Sequence, residues 1–102
     1  MIEIITSEYG IKAAGHACYA PKGQDIVCAA FTILMYTMAE MISELNRSGK
    51  LKECHIELDS GNVDISCIPK DEYIAETRHI MSTINTGISI LSAEYSEFIK
   101  KY

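Results

Sequence analysis

The spacing of apolar residues changes several times along the chain, and each change marks an element. Ile2 to Ile5 is a short apolar run that predicts a strand. Ser7-Glu8-Tyr9-Gly10 follows as a turn, with Gly10 free to take a positive φ. Ile11 to His16 predicts a second strand, and its small residues Ala13, Ala14 and Gly15 let another element approach closely. Ala17 to Gln24 carries Pro21 and Gly23 and reads as a loop.

From about Asp25 to Arg47 the period becomes helical, through Ile26, Ala30, Ile33, Leu34, Met38, Met41, Ile42 and Leu45. Asp25 suits the N-cap, since its carboxylate can accept a first-turn N–H, and Gly49 suits the stop. Val27, Phe31 and Met35 make a further side of this helix apolar, which predicts burial on more than one face. Cys54 to Leu58 and Val63 to Ile68 alternate with a period of two around the turn Asp59-Ser60-Gly61-Asn62. Pro69 and Asp71 then open a second helix, expected from Asp71 to Lys100, with a stripe from Tyr73 through Ile80, Ile84, Ile88, Leu91 and Tyr95 to Phe98. The expected fold is α+β in the order ββαββα: one small, mostly antiparallel sheet of about four strands with two long helices on it.

Composition narrows the function classes. A chain of 102 residues suits a single domain over residues 1–102 with one core. The formal net charge of −5 and the lack of clustered Lys and Arg argue against a direct nucleic-acid partner. The N-terminus MIEIITSEYG has no basic n-region or long apolar h-region. The uncharged run between Asp25 and Glu40 falls short of the ~20 residues a bilayer needs, so it reads as a buried helix and no membrane role is expected. Cys18, Cys28, Cys54 and Cys67 are accordingly expected as free thiols in a reducing cytoplasm.

The chemistry-bearing segment is Gly15-His16-Ala17-Cys18-Tyr19-Ala20-Pro21-Lys22-Gly23-Gln24-Asp25-Ile26-Val27-Cys28. Cys28 falls in the first turn of a helix capped by Asp25, where a helix N-terminus carries roughly half a positive charge and favours a thiolate. His16 ends the preceding strand, and the loop between leaves room for its imidazole to return to the sulfur as base and then as acid. Backbone N–H groups at the helix start, that of Cys28 included, are candidate oxyanion donors. By residue type and spacing alone, a buried packing residue is the favoured reading of Cys28 over a nucleophile.

The stretch GHACYAPKGQDIVCAAFT resembles the signature of the ribosomal-processing cysteine protease Prp family. The resemblance implies a cysteine endopeptidase with His16 and Cys28 as its dyad and no cofactor. Gly15 and Asp25 match flanking positions of the motif, and Thr32 stands where the family usually has Ser. It also implies a homodimer and a protein substrate: the N-terminal extension of large-subunit ribosomal protein L-twenty-seven or, for phage-encoded and prophage relatives, a phage structural protein.

Other residues have competing readings. Asp25 is either the helix cap or a third member that orients His16. Tyr19 is a candidate for the substrate groove or a packing aromatic. Cys54 and Cys67 are expected in the core, and His55 and His79 in solvent. Gly87 either lets a neighbouring helix or subunit approach or has no special role. A metal site of His16, Cys18, Cys28 and Asp25 is disfavoured, because only His-x-Cys is closely spaced. A third alternative is a non-catalytic module that dimerises through its apolar helices.

Overall fold

The computed structural model describes all residues from Met1 to Tyr102. Strands β1 (Ile2–Ser7) and β2 (Gly10–Ala14) form a hairpin, and helix α1 (Ile26–Arg47) follows the loop. A second hairpin, β3 (Leu51–Asp59) and β4 (Asn62–Pro69), leads through a short 3-10 turn at Asp71–Tyr73 into α2 (Ile74–Glu94), and the chain ends in β5 (Ile99–Lys101). The sheet order is β3-β4-β2-β1-β5, antiparallel except where β5 runs parallel to β1.

Register decides which side chains make the core. One row across the sheet is Ile4, Ala13, Val63 and Leu58, and the next is Thr6, Ile11, Ile65 and Ile56. Ile4, Ile11 and Ile65 are fully buried on this face, under both helices. The opposite face carries Ile5, Lys12, Asp64 and Glu57 in one row and stays open to solvent. This is the alternation expected of an antiparallel sheet with one covered face.

Helix α1 is long and apolar enough, by composition, to cross a membrane. Its Val27, Phe31, Met35, Met38, Ala39, Ile42 and Leu45 are nonetheless buried in the core. The helix therefore has both the length that its uncharged run lacked and the packing of a core element. It ends where Gly49, at φ +73, takes the chain out of the helical region. Lys50 Nζ then bonds Glu76 at 2.9 Å, so the end of α1 lies beside the start of α2, as it does in an antiparallel helix pair.

Three expectations need correction. The second helix stops at Glu94 rather than Lys100, and Ile99 turns in beside Ile2 as a fifth strand. Leu91, Tyr95 and Phe98 continue the helical spacing with no Gly or Pro between them, so the pattern conceals the break. The physical gain is that β1 is no longer an unpaired edge. The second strand ends at Ala14, because Gly15 at φ +98 breaks the extended run before His16. Gly10 lies within β2 and serves close approach rather than positive φ: a Cβ there would come 2.9 Å from the Ile65 carbonyl oxygen. Gly87 also serves close packing, since a Cβ on it would reach 2.9 Å from Leu34 Cδ2 across the two helices.

Candidate active site

One carboxylate organises the segment between β2 and α1. Asp25 Oδ1 accepts the N–H groups of Val27 and Cys28 at 3.1 and 2.9 Å. Its Oδ2 accepts those of Tyr19 and Ala20 at 2.9 and 3.3 Å. Cys18, at φ +57, is the one non-glycine residue in the left-handed region, and it turns the chain so that two successive N–H groups converge on that oxygen. Desolvation acts to raise the Asp25 carboxyl, but the four N–H donors, Cys28 foremost, hold it below its ordinary 3.8. Asp25 is thus the N-cap and the anchor of the loop together, and neither oxygen bonds His16.

That arrangement corrects the expected oxyanion donors. The N–H groups of Val27 and Cys28 are taken by Asp25 Oδ1, and that of Ala29 by the Asp25 carbonyl at 3.0 Å. The donor aimed at the sulfur comes instead from the loop: Ala17 N–H to Cys28 Sγ, at 3.3 Å. Ala17 is buried, 1% exposed, so this donor is fixed by packing.

Tyr19 is also placed differently from the groove position considered for it. Its ring meets Tyr95 and Phe98 edge-on, at centroid distances of 5.8 and 5.2 Å. It lines neither cavity at the site and pins the loop to the segment after α2.

His16 and Cys28 border the same two hollows. One, of about 290 Å³, runs inward beside Phe31, Met35, Leu58 and Val63. The other, of about 950 Å³, opens along the loop past Cys18, Lys22, Gln24 and Ile33. Thr32, one helical turn beyond Cys28, borders both, as do Tyr36 and Ser60. Together they form one trough, with His16 and Cys28 bordering both of its parts. Gly15 permits this course, because any side chain on it would strike the Met1 carbonyl oxygen.

The β3–β4 turn enters the site unannounced by the sequence. Ser60 and Gly61 read only as turn residues, yet the sheet order places β4 beside β2, which sets Gly61 against His16 and Ser60 on the wall of the same hollows. Gly15 N–H donates to the Gly61 carbonyl oxygen at 3.0 Å. The sole signal was the glycine itself, and a turn explains it equally well.

The remaining candidates lie elsewhere. Cys67 is buried and Cys54 half-buried, facing each other across β3 and β4. Burial raises both thiols, that of Cys67 to about 11 with a further push from Cys54. His79 is exposed, and His55 lies on the open face of the sheet, 3.2 Å from Glu57 and 3.7 Å from Asp64. The ligand atoms of His16, Cys18 and Cys28 do not converge on a common point, and both Asp25 oxygens are occupied by backbone donors.

Comparison with known proteins gives the family of the chain. A family model described as cysteine protease Prp matches residues 1–100. The ribosomal processing cysteine protease Prp of Mycoplasma pneumoniae is 47% identical over 36 residues, 35% of this chain. The match spans only 36% of that relative's length. Among solved structures, the S. aureus ribosomal processing protease Prp with a covalently linked product peptide superposes with a TM-score of 0.71 at 21% identity, covering 98% of this chain and 94% of that one. The same protease with a substrate peptide gives 0.68 at 21% identity, covering 100% and 98%. At that identity the likeness is one of fold.

Proposed function

Since the chain belongs to the family of cysteine protease Prp, we propose that it is a cysteine endopeptidase with Cys28 as nucleophile and His16 as general base. The observation that carries the proposal is the trough: a half-buried thiol at a capped helix start and an imidazole, both bordering one peptide-sized groove. The thiol stands in the first turn of α1, and the Ala17 N–H is directed at its sulfur.

In this mechanism His16 takes the Cys28 proton as the sulfur attacks the scissile carbonyl carbon. The carbonyl electron pair moves onto oxygen, and Ala17 N–H, which bonds Cys28 Sγ in the free site, is the candidate donor to that oxyanion. As the intermediate collapses, the C–N bond breaks and imidazolium gives its proton to the departing amine. Water, deprotonated by His16, then attacks the thioester; the C–S bond breaks and the thiol is restored. Thr32 and Gly15 support this centre, the first from the trough wall and the second by clearing the Met1 carbonyl.

The substrate of this reading is a protein N-terminal extension, that of a ribosomal protein in the first place. The relatives' description as ribosomal processing proteases, and the peptides bound to the S. aureus enzyme, support it. A phage structural protein is the alternative substrate. The setting is the cytoplasm, and the working form a homodimer. Exposed Ile33 and Tyr36 on α1 and Ile90 on α2 support the dimer.

Cleavage of a peptide spanning the ribosomal-protein extension junction, followed by mass spectrometry, tests the proposal. Wild type is expected to cut it, with Cys28→Ala and His16→Ala inactive. Cutting by Cys28→Ala would overturn the mechanism; an intact peptide with wild type would overturn the substrate. In a Cys18→Ala background, iodoacetamide at neutral pH should modify Cys28 well before Cys54 or Cys67, whose thiols burial raises. Equal, slow labelling of all three would favour the non-catalytic module.

A further inference from the structure

Gly61 stands in the β3–β4 turn at φ +76, and the tip of the His16 imidazole rests against it. A Cβ on Gly61 would lie 2.8 Å from Nε2, 3.4 Å from Cε1 and 3.5 Å from Cδ2 of that ring. The Gly61 carbonyl oxygen also accepts the N–H of Gly15, the residue before His16, at 3.0 Å. The turn therefore meets His16 in two ways, through the preceding backbone and through the ring.

Two demands meet at this position, and they can be separated. A positive φ alone is satisfied by Asn as well as by Gly. Gly49 at φ +73 and Gly23 at φ +89 show that simpler case, with nothing within 4 Å of where a Cβ would be. At Gly61 a Cβ would also meet the imidazole, so any side chain there must displace the ring. The ring is the far end of a rotatable side chain, whereas the turn is held between paired strands. Under a collision the ring swings away and the turn stays. The fold then loses little beyond the backbone strain, and the loss falls on His16's reach to the sulfur. Proton transfer needs that reach to be about 2.6–3.2 Å in the reacting complex.

We propose that Gly61 is a positioning residue for His16: the absence of its side chain forms the seat that keeps the imidazole beside Cys28. The proposal rests on the reading of His16 as general base.

The test compares Gly61→Ala with Gly49→Ala, which carries the same left-handed strain without a neighbour, and with His16→Ala. Thermal unfolding should report similar losses for the two glycine variants. On the junction peptide, Gly61→Ala should lower kcat by about 10- to 100-fold with KM changed less than about threefold, while Gly49→Ala keeps wild-type values. The limb of the pH–rate profile that reports the base should shift in Gly61→Ala only. NMR signals of the His16 ring should move in Gly61→Ala and not in Gly49→Ala. If Gly61→Ala fails to fold, Gly61→Asn keeps the Cβ while tolerating the φ, and the same losses are expected of it. Wild-type kcat with unmoved ring signals in whichever variant folds would overturn the seat. An active His16→Ala would overturn the base assignment instead, and the ring signals report the seat independently of it.

Discussion

Asp25 shows how much one side chain decides here. A carboxylate before an apolar helical run is a familiar N-cap pattern, and its bonds to Val27 and Cys28 follow from position alone. Its second pair of bonds, to Tyr19 and Ala20, depends on the left-handed turn at Cys18, which nothing in that residue type announces. The pH dependence follows from the direction of its shift. The folded carboxyl lies below its ordinary 3.8, so its contribution to stability is fully present above that value and is lost as pH falls through the lower folded value. Thermal unfolding of wild type and Asp25→Ala between about pH 3 and 7 checks this. The variant should melt lower at neutral pH, and the gap should narrow below about pH 4; a gap that is constant down to pH 3 would contradict it.

At the scale of elements, the strands and helices were legible because the apolar period is clean in each. The β3–β4 hairpin alternates with a period of two, the first hairpin shows as an apolar run and a small-residue run, and α1 carries a cap, a stripe and a terminating glycine. The end of α2 was not legible, because Tyr95 and Phe98 keep the helical spacing while Ile99 leaves to pair with Ile2. Gly87 is where two element-scale effects can be weighed. Replacing a mid-helix Gly by Ala gains about 1 kcal/mol in helix propensity. The new methyl would press Leu34 at 2.9 Å, and overpacking of this kind costs about 1–3 kcal/mol. Gly87→Ala is therefore expected to leave stability unchanged or lower it, as measured by urea unfolding. A gain of about 1 kcal/mol would show that Leu34 yields freely.

At the scale of the whole molecule, the two-layer fold leaves apolar side chains facing out. Ile33 on α1 is 62% exposed and Ile90 on α2 is 67% exposed. The antiparallel helices, joined at Leu34 and Gly87, set these two at a similar level. A pair of exposed isoleucines on adjacent helices suits an interface with a second copy. Sedimentation velocity should find a dimer, and Ile90→Glu, which lies outside the trough, should shift it to a monomer. A monomeric wild type at micromolar concentration would count against the dimer.

The linear pattern by itself determined most of the elements, the covered face of the sheet and the segment that carries His16 and Cys28. Those features depend on residues within a few positions of one another, where periodicity, capping and loop composition act directly. Only the tertiary structure decided what surrounds the pair. It gave the sulfur its N–H from Ala17, sent Tyr19 to Tyr95 and Phe98, and set Gly61 against the imidazole. The reason is strand order: β4 lies beside β2, and β5 beside β1, and such non-local pairings are specified by the packing of the whole core rather than by any local run of residues.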